Sequence, residues 1–496
     1  MHFRIQVVVV SDDGTEQLQE IADVVRSEAR LETLGLTLEE SKQVLQELQR
    51  MMIGQQVEAY LDEQRACPDC GKQRHIKQSG TAPFRTLFGL IVVPNPRWQQ
   101  CECQIHTSKT FRPLRALLPE RSSPELLYLE TKWASLVSYG VTAKVLHEVL
   151  PLDQRHSAAT IRNHTLRAAQ RSEQALGAEQ AMFVEGSQAD RNRLPIPDGP
   201  LSVGLDGGIV RARRGTTGAK TGNLFEVIAG KSILSFRRDD GEDVPPSSKC
   251  FALVRSVDQK PKRRLFELLQ SQGMQANQQL TFFSDGGDTV RTLSEYLHPD
   301  AEHILDWFHI TMKITVQQQC ARGLAKPKAL DSVPGTADDE GLERRLESVK
   351  HSLWHGNRTK ALDRLQDVAD VLEWWDCDET GEKQVQPGSL SAARMLKYVR
   401  ELETYIANNA PYIVNYGERY RNGERISTSF VESTINQVVS KRMVKQQQMQ
   451  WTPEGAHLLL QVRIQVLNED WEDTFRHWYP NFRQAQTRGT ATPVVA

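Results

Sequence analysis

Two short apolar runs near the middle of the chain end in the same way, and they restrict the fold more than any other feature. Val203-Gly204-Leu205 runs into Asp206-Gly207-Gly208, and Thr281-Phe282-Phe283-Ser284 runs into Asp285-Gly286-Gly287-Asp288. Each run is short and apolar and is followed by turn residues, which is the pattern of a buried strand reaching its end. Taken singly, an Asp-Gly-Gly is a hairpin or loop turn, where glycine supplies positive φ and aspartate caps its own backbone. Two such ends in one sheet would place two carboxylates side by side. Further strand candidates at 209–213, 224–229 and 303–305, with an amphipathic helix at 263–270, give this region an α/β texture.

The rest of the chain is organised around that region. With 496 residues it is too long for one core. Its 25% charged and 39% hydrophobic content excludes a wholly disordered protein. No apolar stretch approaches the ~20 residues that cross a bilayer, so no membrane partner is expected. The first residues carry no secretory pattern, which sets the expectation of a cytoplasmic protein. Seven cysteines then read as reduced thiols or metal ligands rather than as a disulfide framework. A net charge of −2 means that any nucleic-acid contact must come from local basic patches.

Seven segments are expected. Residues 1–66 hold a strand at 3–10 and then helical patterns, the second opening on a capping box, Thr37 with Glu40, and suited to dimerisation. Residues 67–110 are cysteine-rich, and 111–185 are helical. The α/β region at 200–310 is followed by a helical stretch at 311–425, with loops near 325–340 and 376–389. Residues 426–482 begin with a helix at 430–444, and 483–496 form a loose polar tail.

Three constellations carry chemistry. Cys67-Pro68-Asp69-Cys70 and Cys101-Glu102-Cys103 flank β-prone sequence at 83–88, 90–93 and 97–100, so a hairpin would bring two tight turns together as a four-thiolate structural Zn²⁺ site. His75 and His106 are alternative ligands. At 142–150 and 157–171 two helical patterns flank a turn at 151–156, which is helix-turn-helix-like. In that arrangement Arg162, Asn163 and Arg167 face DNA while Ile161 and Leu166 face the core, and Arg112 and Arg115 supply phosphate contacts.

The third constellation is Asp206, Asp285 and Glu432, the last early in Phe430-Val431-Glu432-Ser433-Thr434-Ile435. Hard divalent cations take oxygen ligands, and three carboxylates suffice to hold two Mg²⁺ (or Mn²⁺) ions against a phosphodiester. Basic residues flank these acids: Arg211, Arg213 and Arg214, then residues 260–264, then Lys441 and Arg442. Asp306 and His309, in Leu305-Asp306-Trp307-Phe308-His309, stand as supporting residues, with Asp306 a competing metal ligand. Trp354, Trp374 and Trp375 are either bases' stacking partners or core.

The chain resembles DDE transposases of bacterial insertion sequences, most closely the ISKra type. The resemblance rests on the paired cysteine motifs, on 203–208, 281–288 and 304–309, and on Phe430-Val431-Glu432-Ser433 running on to Met449-Gln450-Trp451-Thr452. It implies a ribonuclease-H-like catalytic core, a mixed five-stranded sheet with acids on its first strand, its fourth strand and a late helix; Asp206, Asp285 and Glu432 match those positions. The 147 positions between Asp285 and Glu432 (432 − 285) imply an all-helical insertion at about 311–425. The spacing of Asp306 and His309 is similar to that in Mutator-like transposases. The resemblance implies binding of terminal inverted repeats in double-stranded DNA, metal-dependent strand cleavage and transfer, and a homodimer or larger assembly at the nucleoid. The rivals are a nuclease of this fold that does not join strands, and a DNA-binding regulator without catalysis.

Overall fold

Residues 16–25 form a strand, not the first helical pattern expected after residue 10. In the computed structural model β1 (His2–Val10) and β2 (Glu16–Val25) pair antiparallel. Arg4 reaches diagonally across the ladder to Glu20 at 3.4 Å, and Ile21 and Val24 are buried. Cross-strand pairing outweighs the helix preference of Glu and Gln here, because intrinsic propensity is only a weak prior. The described residues are all but 11–13, 104–107, 154–155, 185, 198, 214–222, 235–246, 295–296, 299–300, 325–340, 377–390, 446–449 and 485–496; the side chains at 288, 289, 291, 376, 429 and 432 are also outside the description. They form two compact units, Met1–Arg171 with Glu469–Ala496, and Ser172–Asn468.

In the first unit α1 (Leu38–Glu63) opens on the expected capping box. The Thr37 amide donates to Glu40 Oε2 at 2.9 Å and the Glu40 amide to Thr37 Oγ1 at 3.3 Å. Then come β3 (Ile76–Gln78), β4 (Thr81–Thr86), β5 (Gly89–Pro94), β6 (Arg97–Gln99) and β7 (Thr110–Phe111), as a β4–β5 hairpin and a β3-β6-β7 sheet. Ile53 and Val57 of α1 pack on Ile91 and Val93 of β5. Short α2 (Leu114–Leu117) precedes α3 (Pro124–Leu136), α4 (Tyr139–Val149) and α5 (Ala158–Ala175), whose residues from Ser172 on fall in the second unit.

The second unit begins with α6 (Gln188–Arg191) and then builds a five-stranded sheet. β8 (Leu201–Arg211), β9 (Leu224–Leu234) and β10 (Ser247–Val254) are antiparallel neighbours. After α7 (Pro261–Ser271), β11 (Leu280–Ser284) pairs parallel with β8; after α8 (Asp288–Ser294), β12 (Ala301–Leu305) pairs parallel with β11, giving the order β10-β9-β8-β11-β12. The expected break at Asp206 is absent. Gly207 and Gly208 pair with Ile228 and Val227, so β8 is one continuous strand where the sequence suggests a strand, a turn and another strand.

Helices fill the stretch that the sequence reads as helical: α9 (Trp307–Arg322), α10 (Leu342–Trp354), α11 (Arg358–Asp376), α12 (Ala392–Asn408) and α13 (Tyr416–Arg421). Their own core holds Leu346, Val349, Leu365, Val368, Val399 and Trp375, and it reaches Phe283 and Leu305 at the sheet. Trp375 therefore belongs to the core, Trp354 packs on Trp307 at 5.0 Å, and Trp374 is 52% exposed. α14 (Ser429–Ile435) continues as a π-helix (Asn436–Val444), and α15 (Pro453–Leu467) lies along β10. There Asn468 and Gln461 side chains bond the β10 backbone at Cys250 and Ala252, satisfying an edge that would otherwise be open. The chain ends its described part in the first unit with α16 (Trp471–Trp478), where Phe475 packs edge-on to Tyr128 of α3 at 5.3 Å. Arg483, expected in the loose tail, pairs with Glu125 at 2.9 Å; the rest of that tail, from 485, lies outside the described residues.

Gly204 is small for a physical reason. A Cβ there would overlap Val431 Cγ2 and lie 2.9 Å from Phe430 Cζ, so the missing side chain lets α14 rest directly on β8. Gly204→Ala should destabilise the protein by about 1–3 kcal/mol through overpacking. Adding Val431→Ala should recover part of that loss in chemical denaturation; two additive losses would show that the contact does not govern the site.

Candidate active site

Parallel strands finish at the same edge of a sheet, and here that edge collects the acids. In the β11–β8 register Phe283 pairs with Gly204. Asp206, within β8, and Asp285, one residue past the end of β11, each lie two residues beyond that pair, so the register brings the two carboxylates to the same level at one end of β11. Gly204, Asp206 and Gly208 alternate onto one face of β8. α14 covers that face, because a Cβ on Gly208 would touch Ile435 Cγ2 at 3.8 Å, as one on Gly204 would meet Val431. Glu432 follows Val431 on this helix; its side chain lies outside the described residues. The structure thus brings together the strands of Asp206 and Asp285 and the helix of Glu432, three segments far apart in sequence.

Both aspartates are partly buried, and each is oriented by its own backbone. The Gly207 amide donates to Asp206 Oδ1 at 2.7 Å, and the Gly287 amide to Asp285 Oδ1 at 2.9 Å. Gly286 between them adopts φ +85°, and a Cβ there would run into the Asn409 side chain, so only glycine fits this turn. The Tyr405 hydroxyl of α12 donates to the Asp285 carbonyl at 2.8 Å. Burial first, then the charges of Asp285 and Asp306, push that phenol well above its usual value, so it remains a donor.

Asp306 has a different environment. It is fully buried and caps α9, with Oδ1 accepting from the amides of Phe308 at 2.9 Å and Thr428 at 3.0 Å. Its Oδ2 accepts from the Thr428 hydroxyl and from His309 Nδ1, the latter at 2.6 Å. Four contacts occupy this carboxylate, which makes it an anchor for His309 rather than a competing metal ligand. The hydrogen bond to Asp306 raises His309 above its ordinary value against the opposing effect of burial, and the charges of Asp306, Asp206 and Asp285 add to it. His309 therefore sits within electrostatic reach of both level aspartates. Nδ1 is engaged by Asp306, so Nε2 is the ring nitrogen on the other side of the imidazole.

The cysteines assemble as expected. Cys67, Cys70, Cys101 and Cys103 place their sulfurs within 4.8 Å of one another. Sγ separations of 3.5 Å for Cys67–Cys103 and 3.3 Å for Cys70–Cys101 and Cys101–Cys103 approach the roughly 3.8 Å edge of a tetrahedron with Zn–S about 2.3 Å. The cluster is compatible with a structural zinc. The Cys70 amide holds the Cys67 thiol down at about 6, and the Cys103 amide lowers Cys101, both favouring the thiolates a metal requires; hydrogen bonding from Cys101 and its neighbours pushes Cys103 up. His75 is exposed and outside this group, and His106 lies outside the described residues.

The expected nucleic-acid residues divide into exposed and buried. On α5 Arg162, Asn163 and Arg167 are exposed and Ile161 is fully buried, as helical spacing predicts, while Leu166 is half-buried. Arg115 is exposed, and Arg112 is exposed with Nη1 bonded to the Asn95 carbonyl at 2.7 Å. Arg211 and Arg213 are exposed at the end of β8, and Lys441 is exposed on the π-helix; Arg214 lies outside the described residues. Arg442 is a correction. It is fully buried with its guanidinium 5.1 Å from the Trp451 ring centre, so it is a core cation and does not reach DNA. The basic run at 260–264 also turns inward at Arg264, which bonds Glu173 Oε2 at 2.8 Å and Asp258 Oδ2 at 2.9 Å. Burial would raise Glu173, yet hydrogen bonds from His457 and Arg264 hold it at about 2. Glu173, Asp258 and His457 are close enough to hold a metal, but the guanidinium already fills that role.

Spacing alone gave no warning of Tyr405, Tyr416 or Thr428. All three come from the helical stretch or its exit and bond the Asp285 carbonyl, the Leu305 carbonyl and Asp306. No model of a known protein family matches the chain, and no curated protein sequence does.

Asp306→Ala should cost about 2–4 kcal/mol, since it removes a helix cap and leaves the Thr428 donors buried without a partner. Asp285→Asn should leave stability unchanged or raise it, because it relieves repulsion with Asp206. Urea unfolding of both variants separates the structural acid from the functional one; equal losses would contradict the distinction.

Proposed function

We propose that the chain is a metal-dependent DNA transposase with a ribonuclease-H-like catalytic core. The observation that carries the reading is the level pair Asp206 and Asp285 on adjacent parallel strands, under the helix bearing Glu432. The strand order β10-β9-β8-β11-β12 and the helical stretch before α14 support it, since both agree with what the sequence resemblance implies.

In this reading Asp206, Asp285 and Glu432 hold two Mg²⁺ or Mn²⁺ ions, which suits a set of hard carboxylate oxygens. When bound, such a pair supplies electrostatic stabilisation for the attacking and leaving oxygens of a phosphodiester. His309 Nε2, fixed in direction by Asp306, contacts a phosphate oxygen beside the acids. Gly207 and Gly287 keep the backbone open where the sugar-phosphate chain approaches. Arg211, Arg213 and Lys441 lie exposed in the same unit and supply phosphate contacts that carry no sequence information. In cleavage water attacks the phosphorus and the P–O3′ bond breaks, freeing a 3′-hydroxyl; in transfer that 3′-hydroxyl attacks a target phosphodiester and displaces the target's 3′-oxygen, with no covalent protein–DNA intermediate. Terminal inverted repeats are the DNA partner, two ends are held by a dimer or larger assembly, and the protein acts in the cytoplasm at the nucleoid. Among the described residues no helix is long and apolar enough to cross a membrane.

Asp206→Asn, Asp285→Asn and Glu432→Gln should each abolish Mg²⁺-dependent strand cleavage and leave end binding nearly intact, as seen by cleavage and gel-shift assays run in parallel. A variant that cleaves normally removes its residue from the site. Cleavage without joining, assayed on pre-cut ends, would replace the transposase reading with that of a nuclease.

The cysteine cluster is proposed to hold one structural zinc per chain. Elemental analysis should find about one equivalent, and Cys67→Ser or Cys101→Ser should release it and destabilise the first unit. Metal-free protein with four freely reactive thiols would sink this assignment.

A further inference from the structure

Two of the three α5 residues that the sequence assigns to reading base edges, Asn163 and Arg167, line a concave wall, and Arg162 does not. Asn163, Arg167 and Arg171 line one side of a cleft of about 670 Å³ within the first unit, with Arg121, Trp478 at the end of α16 and the following Tyr479 on its other walls. A helix that reads a duplex must itself enter a groove about 12 Å wide, so its reading face has to be convex. Here that face is the wall of a concavity whose size falls in the about 300–1,000 Å³ range of small-ligand sites.

The lining has two chemical sides. Arg121 and Arg167 are exposed and have no acidic partner among the described residues. Arg85, on β4, also lines the cleft and has its Nε buried without an acceptor among the described residues. Among the described residues of the cleft, Glu120 offsets these cations through a 3.4 Å contact with Arg171. His164, at the same wall, has Nδ1 held by the fully buried Glu130 at 2.5 Å, which leaves Nε2 as its other donor or acceptor. The opposite side is flat and aromatic. The Arg171 guanidinium lies 4.4 Å from the Trp478 ring centre and 5.2 Å from that of Tyr479, and its Nη1 donates to the Tyr479 hydroxyl at 3.2 Å.

We propose that this cleft binds a single unstacked nucleotide, its phosphate on Arg121 and Arg167 and its base against the Trp478–Arg171–Tyr479 surface. Planar surfaces of this kind accept any base by stacking, and clustered arginines take the phosphate charge. The nucleotide is either free or an unpaired residue of a nucleic-acid strand. The proposal depends on the transposase reading only for the second source, an extrahelical or single-stranded nucleotide next to an element end. Asn163 then contacts the edge of that flipped-out base rather than a base pair in a groove.

The test uses full-length Asp206→Asn protein without divalent cations, so that the outcome is independent of cleavage chemistry. Anisotropy is measured with a labelled blunt duplex and with the same duplex carrying a single-stranded overhang of about five nucleotides. The overhang should bind about tenfold tighter, and Arg167→Ala or Trp478→Leu should each erase that difference while leaving blunt-duplex affinity unchanged. Arg167→Lys should restore part of it. Deoxyadenosine monophosphate is the competitor: displacement of the overhang at millimolar concentration assigns the cleft to free nucleotides as well, and no displacement assigns it to the strand alone. Equal binding of the two duplexes, or variants that weaken both alike, overturns the proposal and returns Arg167 to the duplex-facing side of α5. Arg167 is exposed, so Arg167→Ala decides the matter even if Trp478→Leu fails to fold. If Asp206→Asn protein shows the overhang preference while the parent enzyme never cleaves DNA, the transposase reading fails and the nucleotide site stands.

Discussion

The parallel pairing of β11 with both β8 and β12 is the constraint on which the second unit depends. It sends three strands to one edge and delivers Asp206, Asp285 and Asp306 to the same level. Three neighbouring carboxylates in a partly dry environment repel one another, and a fold that gathers them must neutralise or separate them. The structure does both. Asp306 is turned into a helix cap and paired with His309, which sets it apart from Asp206 and Asp285.

The helical stretch between β12 and α14 is tied to that edge by hydrogen bonds rather than by apolar contact alone. Tyr405 bonds the carbonyl of Asp285, Tyr416 that of Leu305, and Thr428 both oxygens of Asp306. The Trp307 amide adds a bond to the Ile426 carbonyl at 3.2 Å. Each partner is a main-chain or buried group at a strand end, so Tyr405, Tyr416 and Thr428 hold the strand ends in place without supplying chemistry themselves. This accounts for a long helical stretch inside an α/β unit: its own core keeps it rigid, and its polar edge fixes the site.

Local chemistry was legible in the sequence and non-local pairing was not. The two cysteine turns, the Thr37–Glu40 box, the strand before Asp285 and the helical pair α4–α5 are all set by residues a few positions apart. Gly207-Gly208 misled because glycine after aspartate usually makes a turn; here Ile228 and Val227 on β9 carry the strand through it. β10 was missed because its edge is completed by Asn468 and Gln461, some two hundred residues away. Arg442 was misread because a run of two cations says nothing about which one faces inward; the neighbouring Trp451, docked on the end of β8 through Arg211 and Arg213, decides it.

That Trp451 contact also explains why the segment after the Glu432 helix runs as it does. The Trp451 amide donates to the Arg211 carbonyl at 3.0 Å and its carbonyl accepts from the Arg213 amide at 2.8 Å, so the chain extends β8 by one bridge. Thr452 then caps α15, and α15 covers the far edge strand β10. Meanwhile Arg463 of α15 bonds the Val438 carbonyl at 2.8 Å, satisfying the π-helix that continues from α14. The position of Glu432 is consequently set at both ends. Gly204 admits the start of its helix onto β8, and Trp451 with Arg463 secures the helix's C-terminal continuation. A π-helical turn leaves main-chain groups poorly paired, and here the Arg463 guanidinium of α15 bonds the carbonyls of Gln437 and Val438.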